Sequence, residues 1–411
     1  MKICGLLGRH LAHSYSPQIH ACFGKTSYAL WEKEPRELES FLKSGEFDGM
    51  NVTIPYKKDV IDYLDELSEM ALAIGSVNTI AKKADGTLFG DNTDAAGFMS
   101  MLDTLKADVK GKKCLVLGSG GASMMAQYVL KKLGGKVVVI SRSGEDNYNN
   151  LERHKDACLI VNATPVGMYP NAGSSPVDLG LFDSLEYVLD LVYNPAKTKL
   201  LMDAENLGIK NCGGLIMLVE QARKAAELWS GEKIPDEVSK KTLAKLKADM
   251  QNIVLIGMPG CGKSKVGMAL SELTGREFVD CDAVITTRIG MTIPEFFEKY
   301  GEEAFRREET AALSDICQRS ALVISTGGGC ITREENYPLL KQNSVVLWLR
   351  RDLELLSRKG RPLSQGTDLN AMYKVRAPLY EKFCDAVVDS TGVITLTAEK
   401  MLEVYNEIIS H

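Results

Sequence analysis

Seven short runs of Val, Leu and Ile punctuate the chain. KCLVLG, KVVVIS, CLIVNAT and YVLDLVY fall before residue 200, and NIVLIG, ALVIST and SVVLWL after residue 250. Each run is too short for a buried helix and rich in β-branched residues, and longer stretches between them carry apolar residues at helical spacing. That alternation predicts parallel α/β architecture, with strands buried on both faces. LIMLVEQARKAAELW has the periodicity of a helix closing a first unit. WSGEKIPDEVSKKTLAKLKADMQ, residues 229–251, is charged and poor in large apolar residues, and the strand NIVLIGM follows at once. The pattern therefore predicts a boundary there, with 241–251 as a linker. At 411 residues the chain exceeds one ordinary core, so each half is expected to bury its own.

Composition narrows the function classes only a little. Hydrophobic residues make up 45% and charged residues 25%, as in a soluble globular protein. The net charge of -5 gives no general reason to expect nucleic acid as a partner. No stretch approaches the roughly 20 apolar residues that cross a bilayer, and MKICGLLGRHLAHSYS lacks the apolar run of a secretion signal. The ten cysteines lie singly, without C-x-x-C, which argues against structural zinc and a disulfide scaffold. A cytoplasmic location is expected; the oligomeric state is left open.

GMPGCGKS, residues 257–264, fits G-x-x-x-x-G-K-[ST] at Gly257, Gly262, Lys263 and Ser264, with Gly260 adding flexibility. A strand precedes it and a helical pattern follows. In such a loop successive backbone N–H groups face phosphates, lysine reaches the β/γ-phosphates and the hydroxyl ligates Mg²⁺. ATP and Mg²⁺ are the expected cofactors. FVDCDAVI ends a strand with Asp280 and Asp282, two apart and expected on one face, one carboxylate for the metal and one for a hydroxyl acceptor. STGGGC offers Gly328 within a run needing close backbone approach. Arg306, Arg361 and Arg376 suit an acidic acceptor. Read singly, these last features are equally a capped strand end, a tight turn and surface arginines.

The order of these motifs, phosphate loop, D-C-D, F-R, G-G-G, R-P-L and R-x-P-L-Y, resembles the shikimate kinase family over residues 252–411. The resemblance implies a small P-loop kinase that phosphorylates the 3-hydroxyl of shikimate with MgATP. It implies that Asp282, Arg306, Gly328 and Arg376 bind shikimate and that Arg361 reaches the transferred phosphate from a lid. Asp280 would hold Mg²⁺ beside Ser264, and Asp282 would accept the hydroxyl proton.

KCLVLGSGGASMMAQYVLKKLGGKVVVISRS reads as strand, glycine turn, helix and second strand, a dinucleotide-binding unit. Gly118, Gly120, Gly121 and Ala122 form its turn. At the end of the second strand an acidic residue would select NAD. Ser141, Arg142 and Ser143 stand there instead and suit the 2′-phosphate of NADP, although Glu145 and Asp146 follow closely. Upstream, HSYSPQIH, NVTIPYK, GSVNTI and GDNTDAAG supply hydroxyls, amides, Lys57 and Asp94. Singly these are cap and turn residues; jointly they form a pocket for a polyhydroxylated acid, with Lys57 and Asp94 able to deliver a proton. His10, His13 and His20 are not required as proton carriers.

These segments, with NATPVGM, DLVYNPAKTKLL and GGLIMLVEQA, resemble shikimate dehydrogenase over residues 1 to about 240. The resemblance implies NADPH-dependent reduction of 3-dehydroshikimate to shikimate, with Lys57 and Asp94 as the catalytic pair. Ser14, Ser16, Thr53, Asn78, Tyr193 and Gln221 match substrate-binding positions, and Met168, Gly214 and Met217 flank the nicotinamide. It also implies a substrate lobe over 1–100, completed by 214–240, and a Rossmann-like NADP lobe over 101–213. His10, Ala95 and the S-R-S turn depart from the family's usual proline, glycine and N-R-T. Two consecutive reactions on one metabolite would explain two nucleotide loops in one chain. The alternative is an active dehydrogenase with the P-loop half as an ATP-binding regulatory module; a GTPase-like switch lacks its N-K-x-D motif.

Overall fold

The computed structural model describes residues 2–11, 14–24, 26–356 and 368–410. Three sheets organise it, and all seven apolar runs are strands. The first sheet is mixed, in the order β2-β1-β3-β5-β6-β4. It comprises β1 (Ile3–Gly8), β2 (Ser27–Glu32), β3 (Gly49–Val52), β4 (Glu66–Leu67), β5 (Thr79–Lys82) and β6 (Leu88–Asp91). β5 runs antiparallel to both β3 and β6.

The second sheet is wholly parallel, in the order β11-β10-β9-β7-β8. Its strands are β7 (Lys113–Leu117), β8 (Lys136–Ile140), β9 (Leu159–Asn162), β10 (Tyr187–Asp190) and β11 (Lys210–Gly213). Leu117, the last residue of β7, pairs with Ile140 on one side and Asn162 on the other. The strand order turns back at β7, with β8 on one side and β9 on the other, so the glycine turn that follows opens at the carboxyl-end crevice where α/β sheets bind ligands. The third sheet, β13-β14-β12-β15-β16, repeats the device around β12. Its strands are β12 (Asn252–Ile256), β13 (Glu277–Asp280), β14 (Leu322–Ser325), β15 (Ser344–Arg350) and β16 (Ala386–Asp389), all parallel. Strands β9, β10, β12 and β14 are buried at every position, as their unbroken apolar runs require.

The helices that matter for function start where these strands end. In the first half they are α1 (Ser16–Phe23), α2 (Asp94–Leu105), α3 (Gly121–Lys132) and α4 (Leu215–Ser230). Pro17 lies in the first turn of α1, where its missing N–H costs nothing. α4 packs on α2 at close range: a Cβ on Gly97 would sit 2.5 Å from the Met217 carbonyl. Trp229 near the end of α4 donates its indole N–H to the Ile80 carbonyl at 2.9 Å, tying α4 to the first sheet.

The segment 241–251, read as a linker, lies instead in α5 (Asp236–Met250), apart from its last residue. Leu246 and Met250 are 2% exposed, so sparse apolar residues at helical spacing suffice to seat a charged helix. The chain divides into two compact units within it, Met1–Tyr193 with Thr198–Leu243, and Asn194–Lys197 with Ala244–His411. The second unit adds α6 (Lys263–Thr274), α7 (Cys281–Ile289), α8 (Ile293–Cys317) and α9 (Leu369–Phe383). The ten cysteines are unbridged, seven of them buried as small core residues. Among the described residues no helix is long and apolar enough to cross a membrane.

Candidate active sites

In the first unit Lys57 donates from Nζ to Asp94 Oδ2 at 2.6 Å, the two side chains being 30% and 19% exposed. Asp94 opens α2, so its carboxylate sits at the positive end of that helix. The start of α2 is fixed from behind. Asn78, 3% exposed, accepts the Thr93 amide at 2.7 Å on Oδ1 and the Thr79 hydroxyl at 3.1 Å on the same atom. The Lys57 carbonyl accepts the Val77 amide at 2.8 Å, which ties the Lys57 loop to the segment carrying Asn78. Ser14 Oγ accepts the Ser16 amide at 3.2 Å, and between them Tyr15 meets the Tyr193 ring edge-on at 6.3 Å. Thr53 donates its amide to the Leu7 carbonyl at the end of β1, and Gln221 donates to Leu218 within α4.

Of the three histidines near the amino terminus, His13 lies outside the described residues and His10 is exposed. His20 is buried and stacked between Tyr28 and Trp229, with Nε2 3.0 Å from Asn51 Oδ1. Burial pushes its imidazole down to about 3, so it is neutral and structural.

The glycine turn after β7 reaches φ +103° at Gly118, a conformation that favours glycine. Gly120 caps α3, and an added Cβ at Gly120 or Gly121 would meet nothing within 4 Å. The start of α3 thus borders open space, with Ala122 exposed beside it. Ser123 donates to the Gly118 carbonyl at 2.6 Å and fixes the turn. Beyond β8, Arg142 and Ser143 are exposed and Ser141 is half-buried. Gly214 caps α4 so tightly that a Cβ would lie 2.3 Å from the Leu191 carbonyl. Met168 is exposed on its loop, and Met217 is half-buried against Gly97.

Sequence reasoning missed the buried polar centre behind these loops. Asn162, at the end of β9, donates to Asp190 Oδ1 at 2.9 Å; Asp190, at the end of β10, also accepts the Val192 amide at 3.0 Å and the Thr198 hydroxyl at 2.6 Å. Asn162 Oδ1 meanwhile accepts the Thr164 amide and hydroxyl. One network therefore holds both the NATPVGM loop and the loop that carries Tyr193. Burial raises the Asp190 carboxyl to about 6 against those three donors. The signal was a lone polar residue in each of two apolar runs.

In the second unit Gly257, Gly260 and Gly262 all hold positive φ. Lys263, 8% exposed, folds back to donate to the Gly257 and Met258 carbonyls at 2.8 and 3.2 Å. Ser264 Oγ donates to Asp280 Oδ2 at 2.7 Å, and the Ser325 hydroxyl lies 3.4 Å away. The expectation that Asp280 and Asp282 share a strand face is corrected. Only Asp280 ends the strand; it caps α7, accepting the Asp282 amide at 3.0 Å, so Asp282 stands in the first turn of a helix. A capping aspartate satisfies α7's first amides and turns the chain at once.

Asp282 nevertheless faces the same space as the loop. A cavity of about 540 Å³ is lined by Lys263, Ser264, Asp282, Arg306 and Arg376 together with the glycines 327–329. Ile293, Pro294, Phe297 and Phe305 give it an apolar wall. Arg306 lies against Gly329, where a Cβ would come within 2.4 Å of the guanidinium. It is held by Glu309 at 2.8 Å and Glu302 at 3.0 Å. Arg376 donates to the Gly328 carbonyl at 3.1 Å, and Tyr380 to the same oxygen at 2.6 Å. Glu309, overlooked in the sequence although one helical turn past Arg306, is 1% exposed; burial raises its carboxyl above the usual range, against the pull of Arg306. Arg361 lies outside the described residues.

A dinucleotide-type turn and a lysine–aspartate pair in one unit define an oxidoreductase, and a phosphate loop facing two arginines and an aspartate defines a P-loop phosphotransferase; this chain is an enzyme of both classes. It belongs to the shikimate dehydrogenase family over about 60% of its length and carries a shikimate kinase domain after it. The shikimate dehydrogenase substrate binding domain matches residues 6–80, and the shikimate kinase family matches residues 259–409. A shikimate dehydrogenase (NADP(+)) of Clostridium perfringens is 37% identical over 269 residues, covering 60% of this chain and 99% of that protein. The crystal structure of a chorismate mutase/shikimate 5-dehydrogenase fusion protein from Clostridium acetobutylicum superposes with a TM-score of 0.58 at 35% identity, over 60% of this chain and 97% of that one. Shikimate 5-dehydrogenase of Thermus thermophilus, solved with NADP(H) and shikimate, gives 0.54 at 34% identity, over 59% of this chain and all of that one.

Proposed function

We infer that this is a bifunctional enzyme of the shikimate pathway, reducing 3-dehydroshikimate to shikimate with NADPH and then phosphorylating the same 3-oxygen with MgATP. The observation that carries the reading is the assembly of Lys263, Ser264, Asp282, Arg306 and Arg376 on one cavity, in a chain whose other unit pairs Lys57 with Asp94.

In the dehydrogenase cleft NADPH supplies the hydride. The Lys57 ammonium is the proton donor to the nascent alkoxide, and Asp94 holds it in place. Ser14, Ser16, Thr53, Asn78, Tyr193 and Gln221 bind the ring hydroxyls and carboxylate. The α3 amides behind Gly118, Gly120, Gly121 and Ala122 face the pyrophosphate, and Arg142 with Ser141 and Ser143 takes the 2′-phosphate. Met168, Gly214 and Met217 border the nicotinamide.

In the kinase cavity Arg306 and Arg376 hold the shikimate carboxylate, with Gly328 giving the ring close approach to the backbone. Asp282 orients the attacking hydroxyl and takes its proton. Lys263 exchanges the Gly257 and Met258 carbonyls for phosphate oxygens, and the α6 amides join it. The paired oxygens of Ser264 and Asp280 fit a hard divalent cation such as Mg²⁺, which would neutralise phosphate charge there. Among the described residues no group of three His, Cys, Asp or Glu side chains is placed to hold a metal.

The test supplies purified protein with 3-dehydroshikimate, NADPH and MgATP and follows products by mass spectrometry. Shikimate 3-phosphate should form only when both nucleotides are present. Lys57→Ala should abolish reduction and spare phosphorylation of added shikimate, and Lys263→Ala the reverse. Loss of both activities from either change in a folded protein would disprove independent sites.

A further inference from the structure

We propose that His154 helps set the preference for a 2′-phosphorylated dinucleotide, by engaging Asp146, a carboxylate built into the loop that presents Arg142. The proposal rests on reading Ser141, Arg142 and Ser143 as the phosphate clamp. The loop after β8 closes on itself within six residues. The Ser141 amide donates to the Asp146 carbonyl at 3.2 Å and the Gly144 amide to the Ser141 carbonyl at 3.4 Å. A Cβ on Gly144 would lie 2.7 Å from Ser141 Oγ and 3.0 Å from the Asp146 carbonyl. Asp146 is thereby held beside the clamp. A free carboxylate at the end of this strand opposes a phosphate dianion and favours an unphosphorylated ribose.

The Asp146 carboxylate is not free. Its Oδ1 lies 2.9 Å from Nε2 of His154, whose side chain is 9% exposed. His154 is anchored by the helical turn Leu151–His154, whose Leu151 packs into the core with Leu117 and Ile140. Two asparagines staple the same loop: Asn147 donates to the Gly144 carbonyl at 3.2 Å and Asn150 to the Glu145 carbonyl at 2.9 Å. Backbone and carboxylate are both fixed inward, while Arg142 stays exposed and makes no ion pair among the described residues. His154 therefore draws the acid's charge toward the protein and leaves the positive face of Arg142 dominant. Neither residue touches the reacting atoms, so both act as positioning residues.

The experiment measures kcat/KM for NADPH and for NADH, in the full chain, with 3-dehydroshikimate saturating. His154→Phe should lower the NADPH/NADH ratio by about 3- to 10-fold through a raised KM for NADPH, with kcat and phosphorylation unchanged. Asp146→Asn in that background should restore the ratio, and His154→Gln, which keeps a donor, should largely preserve it. If His154→Phe does not fold, Asp146→Glu reads the same effect, because one more methylene carries the carboxylate past the imidazole. An unchanged ratio in the tested variant, or a fall that Asp146→Asn does not rescue, overturns the proposal. Arg142→Ala tests the clamp separately: if NADPH is not selectively weakened by it, the clamp reading fails, whatever His154 does.

Discussion

A buried carboxylate reports its surroundings through pH. Asp190 accepts three hydrogen bonds, yet burial still lifts its carboxyl to about 6. In the unfolded chain the same group titrates near 3.9. The folded state therefore holds the proton more tightly between those values. The associated stability is complete below about pH 4 and is lost as pH rises through about 6, a change of up to about 3 kcal/mol. Asp190→Asn removes that dependence while keeping an acceptor for Val192 and Asn162. Melting temperatures of wild type and variant should diverge between pH 4 and 6.5, with wild type losing ground as pH rises, and run parallel above. Parallel curves throughout would place Asp190 at an ordinary carboxylate value. Residues of this kind were hard to read in advance because their meaning lies in a partner far along the chain, Asn162 with Asp190 or Tyr28 with Asn51. Lys57 with Asp94, equally far apart in sequence, was legible through the family resemblance of the segments that carry them.

At the scale of elements, motif and architecture agreed wherever a backbone constraint dictated the residue. The glycines at 118, 257, 260 and 262 hold positive φ after parallel strands, and the strands themselves were plain from their length and branching. The D-C-D segment misled because strand and helix periodicity cannot be told apart over three residues, and a capping aspartate decided it. The charged segment before residue 251 holds the boundary between the two units, yet it is helical, because a helix needs only a few apolar positions to dock. Helix contacts, by contrast, left almost no trace. Gly97 reads as an unremarkable position in a helix, yet the α2–α4 crossing depends on its lacking a side chain. Gly97→Ala sets a methyl against the Met217 carbonyl, a backbone atom that cannot turn aside. We expect a cost of about 1–3 kcal/mol, seen as a lowered melting temperature. Dehydrogenase kcat/KM should fall as Met217 and Gln221 shift, and phosphorylation of added shikimate should hold.

The molecule as a whole joins two units, each with a five-stranded parallel sheet whose strand order turns back at β7 or β12, and a glycine loop follows each of those strands. That plan could be read from two glycine loops and the charged stretch between them; the selectivity of each site depends on loops whose closure only three dimensions reveal. Lys57 and Asp94 are 30% and 19% exposed, so in the proposed reduction the lysine is reloaded from bulk water after each turnover. Reduction with NADPH consumes one hydrogen ion from the medium, and phosphoryl transfer from ATP to an alcohol returns one near pH 8. In lightly buffered solution the ketone with NADPH alone should drift alkaline, and shikimate with MgATP alone should drift acid. The complete sequence should leave a pH-stat nearly idle, making this chain a converter that is self-balancing in acid.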